Sequence, residues 1–328
     1  MKIIVTGCAG FIGYNLCDDL LNIGYQVVGV DNFNDFYDPN RKLNNFKELS
    51  IKHQHKFDII NENVNDTNCF EELDDVKAIY HLASRANVRN SMKHPVNYVD
   101  DNIKTMVHIL DCLKKRKEAG KPVPFLIYAS SSSVYGSNEE VPFKENQKLN
   151  HIESPYALSK KVCEEFALLY FKLYGIESAG MRFFTVYGPH GRPDMAPELF
   201  LTKIYLGEEI QKFGMGDSKR DYTYVGDIIQ GLVKVMNTKT LCNVYNIGNS
   251  KTTSLNDFIK LCEKIVGKEA IVNQVGKQLG DVPITYSDIG LAKDHFGYEP
   301  TIDLEEGLKK TIEWLKPILD SKLNNSSE

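Results

Sequence analysis

The segment Lys2-Ile-Ile-Val-Thr-Gly-Cys-Ala-Gly-Phe-Ile-Gly-Tyr-Asn-Leu16 constrains this chain more than any other stretch. The apolar run Ile3 to Val5 has the character of a strand buried on both faces. It breaks into Gly7, Gly10 and Gly13 before residues at helical spacing, Phe11, Ile12, Leu16 and Leu20, take over. Glycine there lets the turn close and lets backbone approach a pyrophosphate, while the N–H groups and positive dipole end of the helix face the anion. Three glycines alone also describe an ordinary tight strand-to-helix turn. The continuation favours a phosphate cradle: a second strand, Gln26 to Val30, ends in Asp31. An acid there accepts hydrogen bonds from adenosine ribose hydroxyls and repels a 2′-phosphate, so the expected cofactor is NAD rather than NADP. The spacing is Gly-x-x-Gly-x-x-Gly, which departs from the Gly-x-Gly-x-x-Gly of the common dehydrogenase fingerprint.

With 328 residues, 42% hydrophobic and 25% charged, the chain can bury one large core or two intimate ones. No stretch approaches the ~20 apolar residues of a membrane span. The first strand begins at Lys2 and leaves no room for a signal peptide, so a cytoplasmic protein is expected. The seven cysteines are scattered and form no Cys-x-x-Cys pair, so neither a disulfide framework nor a metal site is expected. A net charge of −5 argues against nucleic acid as partner. The polar tail, residues 321–328, is expected to be disordered.

Strand and helix alternate from the N-terminus, which implies an α/β fold with a Rossmann-type doubly wound parallel sheet. A helix is expected near Arg41 to Leu49 and a third strand over Phe57 to Ile60. Asp58 stands where an acid reaches an adenine amine, and a surface carboxylate is an equally good reading. A fourth strand, Val76 to Leu82, runs into small residues, Ala83 and Ser84, that let a cofactor lie against backbone. A long helix from about Val96 to Lys117 carries Val99, Ile103, Met106, Leu110 and Leu113 as one stripe, most of it expected in the core.

A fifth strand, Pro124 to Ala129, delivers the loop Ser130-Ser-Ser-Ser-Val-Tyr-Gly136 to the carboxyl edge of the sheet, where ligands bind in open α/β folds. A serine run at a strand end is ordinarily just a loop. Then comes Ser154-Pro-Tyr-Ala-Leu-Ser-Lys160: Ser154 suits an N-cap, Pro155 the first helical position, and Tyr156 and Lys160 fall at i and i+4 on one face. Tyrosine and lysine at that spacing are common by chance; their company, a dinucleotide fingerprint and a serine loop, marks them as a candidate catalytic pair. The helix continues to about Tyr174 with apolar residues on two sides, one expected against the sheet and one against a subunit partner. Beyond Thr185 loops dominate. The expected division is a dinucleotide domain, 1–184 with about 221–252, and a smaller, discontinuous C-terminal α/β substrate lobe, about 185–220 with 253–320. A strand near Val244 to Ile247 returns to the large sheet.

The glycine spacing, Asp31, the Ser-Ser-Ser-Val-Tyr-Gly loop and Tyr156-x-x-x-Lys160 resemble the extended short-chain dehydrogenase/reductase superfamily over nearly the whole chain. Val30-Asp-Asn-Phe-Asn-Asp-Phe-Tyr37, Met181-Arg-Phe-Phe-Thr-Val-Tyr-Gly-Pro-His-Gly-Arg-Pro-Asp-Met-Ala196, Arg220-Asp-Tyr-Thr-Tyr-Val225 and Leu279-Gly-Asp-Val-Pro283 look most like the UDP-glucuronate 4-epimerases. The resemblance implies NAD held by Gly7, Gly10, Phe11, Ile12, Gly13, Asp31, Asn32, Asp58, Ile59, Leu82, Ala83, Ser84, Asn102, Ala129, Tyr156 and Lys160. It implies a UDP-sugar met by Ser131, Ser132, Ser133, Arg89, Tyr156, Thr185, Arg192, Lys212, Phe213, Arg220 and Asp281. Arg192 is then the candidate clamp for a sugar carboxylate, Arg220 the diphosphate contact, Asp281 the ribose contact and Lys212-Phe213 the uracil pocket. Arg192 also reads as a loop arginine or a diphosphate contact, and Asp281 as a turn residue. A homodimer through a four-helix bundle follows from the same resemblance.

Tyrosine, with an ordinary pKa near ~10, serves as a base at neutral pH only if its phenolate is stabilised, the role expected of Lys160 and a cationic nicotinamide. The phenolate takes the sugar 4-hydroxyl proton as hydride leaves C4, and Ser131 hydrogen-bonds the same oxygen. Related dehydratases carry an Asp-Glu pair in the serine loop, and decarboxylating relatives a Glu before Val-Tyr-Gly; here Ser132 and Ser133 stand there. The alternatives are a UDP-glucose or UDP-N-acetylglucosamine 4-epimerase, a UDP-glucuronate decarboxylase, and an NAD-binding sensor without turnover. Two departures from the family pattern are His190, expected to be structural or at the rim, and Ser84-Arg-Ala-Asn-Val-Arg89, which adds the cation Arg85.

Overall fold

The computed structural model describes all residues except Glu72, Lys239, Lys277, Leu279 and 326–328. The first half comprises β1 (Lys2–Thr6), α1 (Phe11–Asn22), β2 (Gln26–Val30), α2 (Pro39–His53), β3 (Phe57–Ile60), β4 (Val76–His81), α3 (Val88–Lys93), α4 (Pro95–Tyr98), a π-helical stretch Val99–Lys104, α5 (Thr105–Glu118), β5 (Phe125–Ser131) and α6 (Pro155–Tyr174). The second comprises β6 (Ser178–Phe183), β7 (Thr185–Tyr187), α7 (Ala196–Leu206), β8 (Glu209–Phe213), β9 (Lys219–Arg220), β10 (Tyr222–Tyr224), α8 (Val225–Met236), β11 (Cys242–Ile247), β12 (Thr253–Ser254), α9 (Leu255–Val266), β13 (Ile271–Val275), α10 (Gly290–Phe296) and α11 (Leu304–Asn325).

Seven strands form one sheet in the order β11-β6-β5-β4-β1-β2-β3, with every pairing parallel. Parallel neighbours need long crossovers, and the intervening helices supply them on both faces. Ile3, Ile4 and Val5 are at most 3% exposed, as a strand covered on both faces requires. One face packs against α1 and α8 through Leu16, Leu20, Ile228 and Leu232. The other packs against α5 and α6 through Met106, Leu110, Leu113, Cys163 and Ala167. A third core, with Phe200, Leu201, Phe258, Leu308 and Leu315, joins α7, α9 and α11. The strand order reverses at β1, between β2 and β4, and this opens a crevice at the carboxyl ends.

The structure differs from the sequence reading in four places. Ser130 and Ser131 complete β5 instead of opening a loop, and Ser132–Tyr135 is a 3-10 turn. The helix expected from Val96 is present, but it is π-helical over Val99–Lys104; its wider turns shift the stripe, so Val99 is 52% exposed while Met106, Leu110 and Leu113 are buried. Within the 253–320 span, α10 packs beside α8 and β11 and so belongs with the large sheet. The tail expected to be disordered is helical through residue 325, with 326–328 outside the described residues.

A buried network fixes the end of β4. Thr6 Oγ1 accepts from Ala83 N at 3.1 Å and so donates to His81 Nδ1 at 2.9 Å, which leaves Nε2–H to donate to Thr105 Oγ1 at 3.3 Å. Burial, with Lys160 nearby, pushes His81 down to about 3, so the ring is neutral and structural.

Candidate active site

The crevice contains a cavity of about 750 Å³ lined by the glycine loop, the ends of β2, β4 and β5, the start of α6 and segments of the smaller lobe. At its floor Gly7 has φ +71, and a side chain there would press on the backbone of Ala83. A methyl on Gly13 would run into the Gly7 carbonyl oxygen. With Gly10 as an N-cap that offers no side-chain bond and no acid in the first turn, the first N–H groups of α1 remain for an anion. Asp31 accepts from Ala9 N at 3.1 Å and Phe33 N at 2.9 Å, which ties the acid to the glycine loop. Asn32, Leu82, Ala83, Ser84 and Ala129 also line the cavity. A tight backbone cradle with an acid at the second strand's end fits a dinucleotide with a free 2′-hydroxyl.

Deeper in, α6 starts as the sequence reading requires. Ser154 Oγ accepts from Ala157 N at 3.1 Å, Pro155 opens the helix, and Tyr156 and Lys160 both face the cavity. Lys160 Nζ donates to the Ala129 carbonyl at 2.8 Å; burial pushes it down to about 8, against the raising influence of Cys163 and Glu164. The ammonium is therefore anchored on the strand. Burial raises Tyr156, while a hydrogen bond with Ser131 and the charge of Arg192 pull it back. Ser131 and Arg192 thus offset part of the rise that burial imposes on the phenol. Ser131 Oγ donates to Ser133 Oγ and accepts from Ser133 N, both at 3.1 Å, and Ser132 also lines the cavity.

A buried ion pair underlies this serine turn. Arg182 Nε and Nη2 donate to Glu164 at 2.8 and 2.7 Å, Ser130 Oγ donates to the same carboxylate at 2.5 Å, and Arg182 Nη1 donates to Tyr135 Oη at 2.9 Å. Tyr135 Oη in turn donates to Asn246 Oδ1 at 2.7 Å, which links the turn to β11.

At the far end the smaller lobe brings Thr185, Arg192, Phe213, Arg220 and Asp281 to the cavity, with Arg89 from α3. Arg192 makes a two-point pair with Asp194, Nε to Oδ1 at 3.0 Å and Nη2 to Oδ2 at 2.6 Å. Burial opposes the charge on Asp194, but Arg192 and the Asn87 amide outweigh it and hold the carboxyl below its ordinary value. Arg89 Nη2 pairs with Asp281 at 3.0 Å, and Arg89 Cζ lies 4.2 Å from the centre of the Phe213 ring.

Residues 3–248 match the family model "NAD dependent epimerase/dehydratase family". The chain belongs to the NAD-dependent epimerase/dehydratase family. It is 39% identical to UDP-glucuronate 4-epimerase of Thermodesulfobacterium geofontis, over 95% of each chain. It is 37% identical to UDP-glucuronate 4-epimerase 4 of Arabidopsis thaliana, over 96% of this chain and 75% of the relative. A crystal structure of UDP-glucuronic acid 4-epimerase from Bacillus cereus, in complex with UDP-glucuronic acid and NAD, superposes with a TM-score of 0.89 at 34% identity, covering 97% of this chain and 100% of the other.

Against the frame of this epimerase/dehydratase family, four expected site residues fall elsewhere. Asp58 and Ile59 lie within β3, paired with Val28 and Gly29, and do not line the cavity; Asn63 and Val64, beyond the strand end, do. The strand has the bounds expected of it, and the residues that follow it reach the cavity. Asn102 is buried, and its amide bonds the backbone N and O of Arg85 and the Ser159 hydroxyl, so it fixes the loop after β4. Lys212 is absent from the lining because alternation along β8 turns Gln211 and Phe213 inward and Lys212 away. Leu279 of the fourth motif is outside the described residues.

Phe36, Asn87 and Asp194 were missed, although Asp194 stands in the quoted Gly-Arg-Pro-Asp-Met motif. Arg85, the added cation, lines the cavity and pairs with Asp101 at 2.6 Å. His190 lies outside the cavity lining. Its ring stacks on Tyr14 with centroids 3.8 Å apart, and Nδ1–H donates to Asn45 Oδ1 at 2.8 Å, since the Asn45 amide donates to Ala9 O. Burial pushes His190 down to about 4, so it is neutral and structural.

Proposed function

We propose that this chain is an NAD-dependent UDP-sugar 4-epimerase that interconverts UDP-glucuronate and UDP-galacturonate. The observation that carries the reading is the convergence of Tyr156, Ser131 and Arg192 on one cavity, with serines where the serine turn of other family members carries an acid. Bound NAD supplies the hydride acceptor and donor at C4 and, when oxidised, the positive charge that favours a phenolate. Tyr156 takes the proton of the sugar 4-hydroxyl and later returns it. Ser131 Oγ, fixed by the Ser133 N–H, donates to the same oxygen as its carbonyl character develops. Lys160, anchored on Ala129, places a positive charge beneath the reacting groups. The serine turn offers no carboxylate to eliminate water, so the ketone is left to regain hydride, on either face after the sugar turns about its diphosphate, provided that its carboxylate is retained.

Arg192 meets the C6 carboxylate, for which its planar fork is suited. Arg220 meets the diphosphate, Phe213 the uracil, and Asp281 the ribose once its pair with Arg89 opens. UDP-glucuronate named with the Bacillus cereus and plant relatives supports the choice of sugar. We further propose a homodimer through α6 and the helical run 96–117 that ends in α5, because Leu158, Leu169 and Leu173 of α6 are 51%, 45% and 60% exposed with Val96 and Val99 also uncovered. The cytoplasm is the proposed compartment, with the seven cysteines as free thiols.

The test is incubation of the purified protein, with no NAD added, with UDP-glucuronate and separately with UDP-glucose and UDP-N-acetylglucosamine, products being read by NMR. UDP-galacturonate formed without CO₂ is the expected result. Turnover of only the neutral sugars would move Arg192 to the phosphate.

A further inference from the structure

Arg192 is held from two directions. Asp194 takes its Nε and Nη2 side-on, and its Cζ lies 5.0 Å from the centre of the Phe36 ring. Asp194 is itself held by the Asn87 amide at 3.2 Å, and Asn87 sits at φ +84 as the N-cap of α3. Three segments, following β2 and β4 and in the smaller lobe, thus meet at the Arg192–Asp194 pair. A guanidinium can take one carboxylate side-on through Nε and Nη2 and another end-on through Nη1 and Nη2. With Asp194 in the first place, the end-on edge remains for a second acid.

We propose that Asp194, with Phe36 as the platform, is the positioning residue that sets the plane and angle at which Arg192 meets the C6 carboxylate, and so keeps the 4-keto uronate from losing CO₂. This rests on the UDP-glucuronate reading given above. A uronate oxidised at C4 is a β-keto acid. When its C5–C6 bond aligns with the carbonyl π system, that bond breaks. CO₂ leaves, the electron pair enters a C4–C5 enolate, and C5 takes a proton. The product is a UDP-4-keto-pentose, and the two electrons of the former C4–H bond stay on the dinucleotide in reduced form. A guanidinium fixed in plane holds C6 out of alignment, whereas one free to rotate binds the carboxylate yet lets the ring reach the aligned conformer.

The experiment uses the holoenzyme and UDP-glucuronate labelled with ¹³C at C6, following labelled CO₂ and UDP-galacturonate by NMR and reduced dinucleotide by its absorbance. Asp194→Asn keeps the shape and removes the charge. The ratio of CO₂ to epimer is expected to rise about tenfold or more over wild type, with kcat changed more than KM, and to fall back in Asp194→Glu. Phe36→Leu is expected to raise the same ratio, and it carries the test if the Asn variant loses its bound NAD through misfolding. An unchanged ratio in a folded variant, whatever its rate, overturns the proposal. A wild-type protein that makes no UDP-galacturonate overturns the substrate reading and this inference with it, and that failure is visible before any variant is compared.

Discussion

Tyr156→Phe removes one oxygen from the site and nothing from the fold. Turnover is expected to fall about 10³-fold or more, while bound NAD stays at the wild-type level as read by its absorbance after denaturation. A variant that keeps a tenth of wild-type activity would remove Tyr156 from the proton path. Lys160 carries a different signature. Its folded value is held near 8 by burial, below the ~10.4 of an exposed lysine, so the unfolded chain binds the extra proton between those values. Stability contributed at this site is therefore complete above ~10.4 and is lost as pH falls through about 8. Wild type should gain stability relative to Lys160→Met as pH rises across that window, in urea melts at matched ionic strength. Parallel curves would show that Lys160 does not titrate there. Tyr156, Lys160 and Ser131 were legible because each lies in a short continuous motif. Asn87 and Phe36 act by meeting Asp194 and Arg192 from distant segments, and no local spacing announces that.

The glycine turn and the serine turn are each held by contacts that allow little substitution. In Gly13→Ala the new methyl meets a carbonyl oxygen of the same turn, which cannot withdraw without moving Gly7 from its left-handed conformation. A loss of about 1–3 kcal/mol in stability is expected, together with a lower content of bound NAD. Full NAD occupancy would show that the turn relaxes freely. Beneath the serine turn, Glu164→Ala would leave Arg182 buried without its charge partner and free Ser130. This is expected to cost about 3–5 kcal/mol in denaturant melts. Strands such as β2 and the capped start of α6 could be read directly, since an apolar run and a Ser-Pro cap are local signals. The π-helical turns after Tyr98 could not be read, because the apolar stripe continues through a change of pitch that only packing reveals.

The crevice needs both lobes. Arg41 of α2 pairs with Glu198 of α7 at 2.5 Å, and His190 lies between Tyr14 of α1 and Trp314 of α11. Asp221, fully buried, accepts from the backbone of Asn249, Ser250 and Ser287 and from the Ser287 hydroxyl. These ties explain how a site assembled from sequence-distant segments keeps one geometry, and why residues such as Asp221 stand inside a motif that reads as functional. On the outer face of α6, Leu169→Glu with Leu173→Glu should shift the sedimentation of a dimer to that of a monomer at micromolar concentration without changing the melting of the fold. A wild-type protein that sediments as a monomer would remove the proposed bundle.

The central claim is that one hydride leaves C4 and returns to it within a single active site. The direct measurement uses UDP-glucuronate deuterated at C4, incubated with the protein in ordinary water with no NAD added, and NMR of the UDP-galacturonate formed. Deuterium retained at C4 of the product is the predicted result, since the transferred hydride does not exchange with solvent. Deuterium replaced by solvent hydrogen would contradict the account and place the chemistry in a proton transfer at carbon.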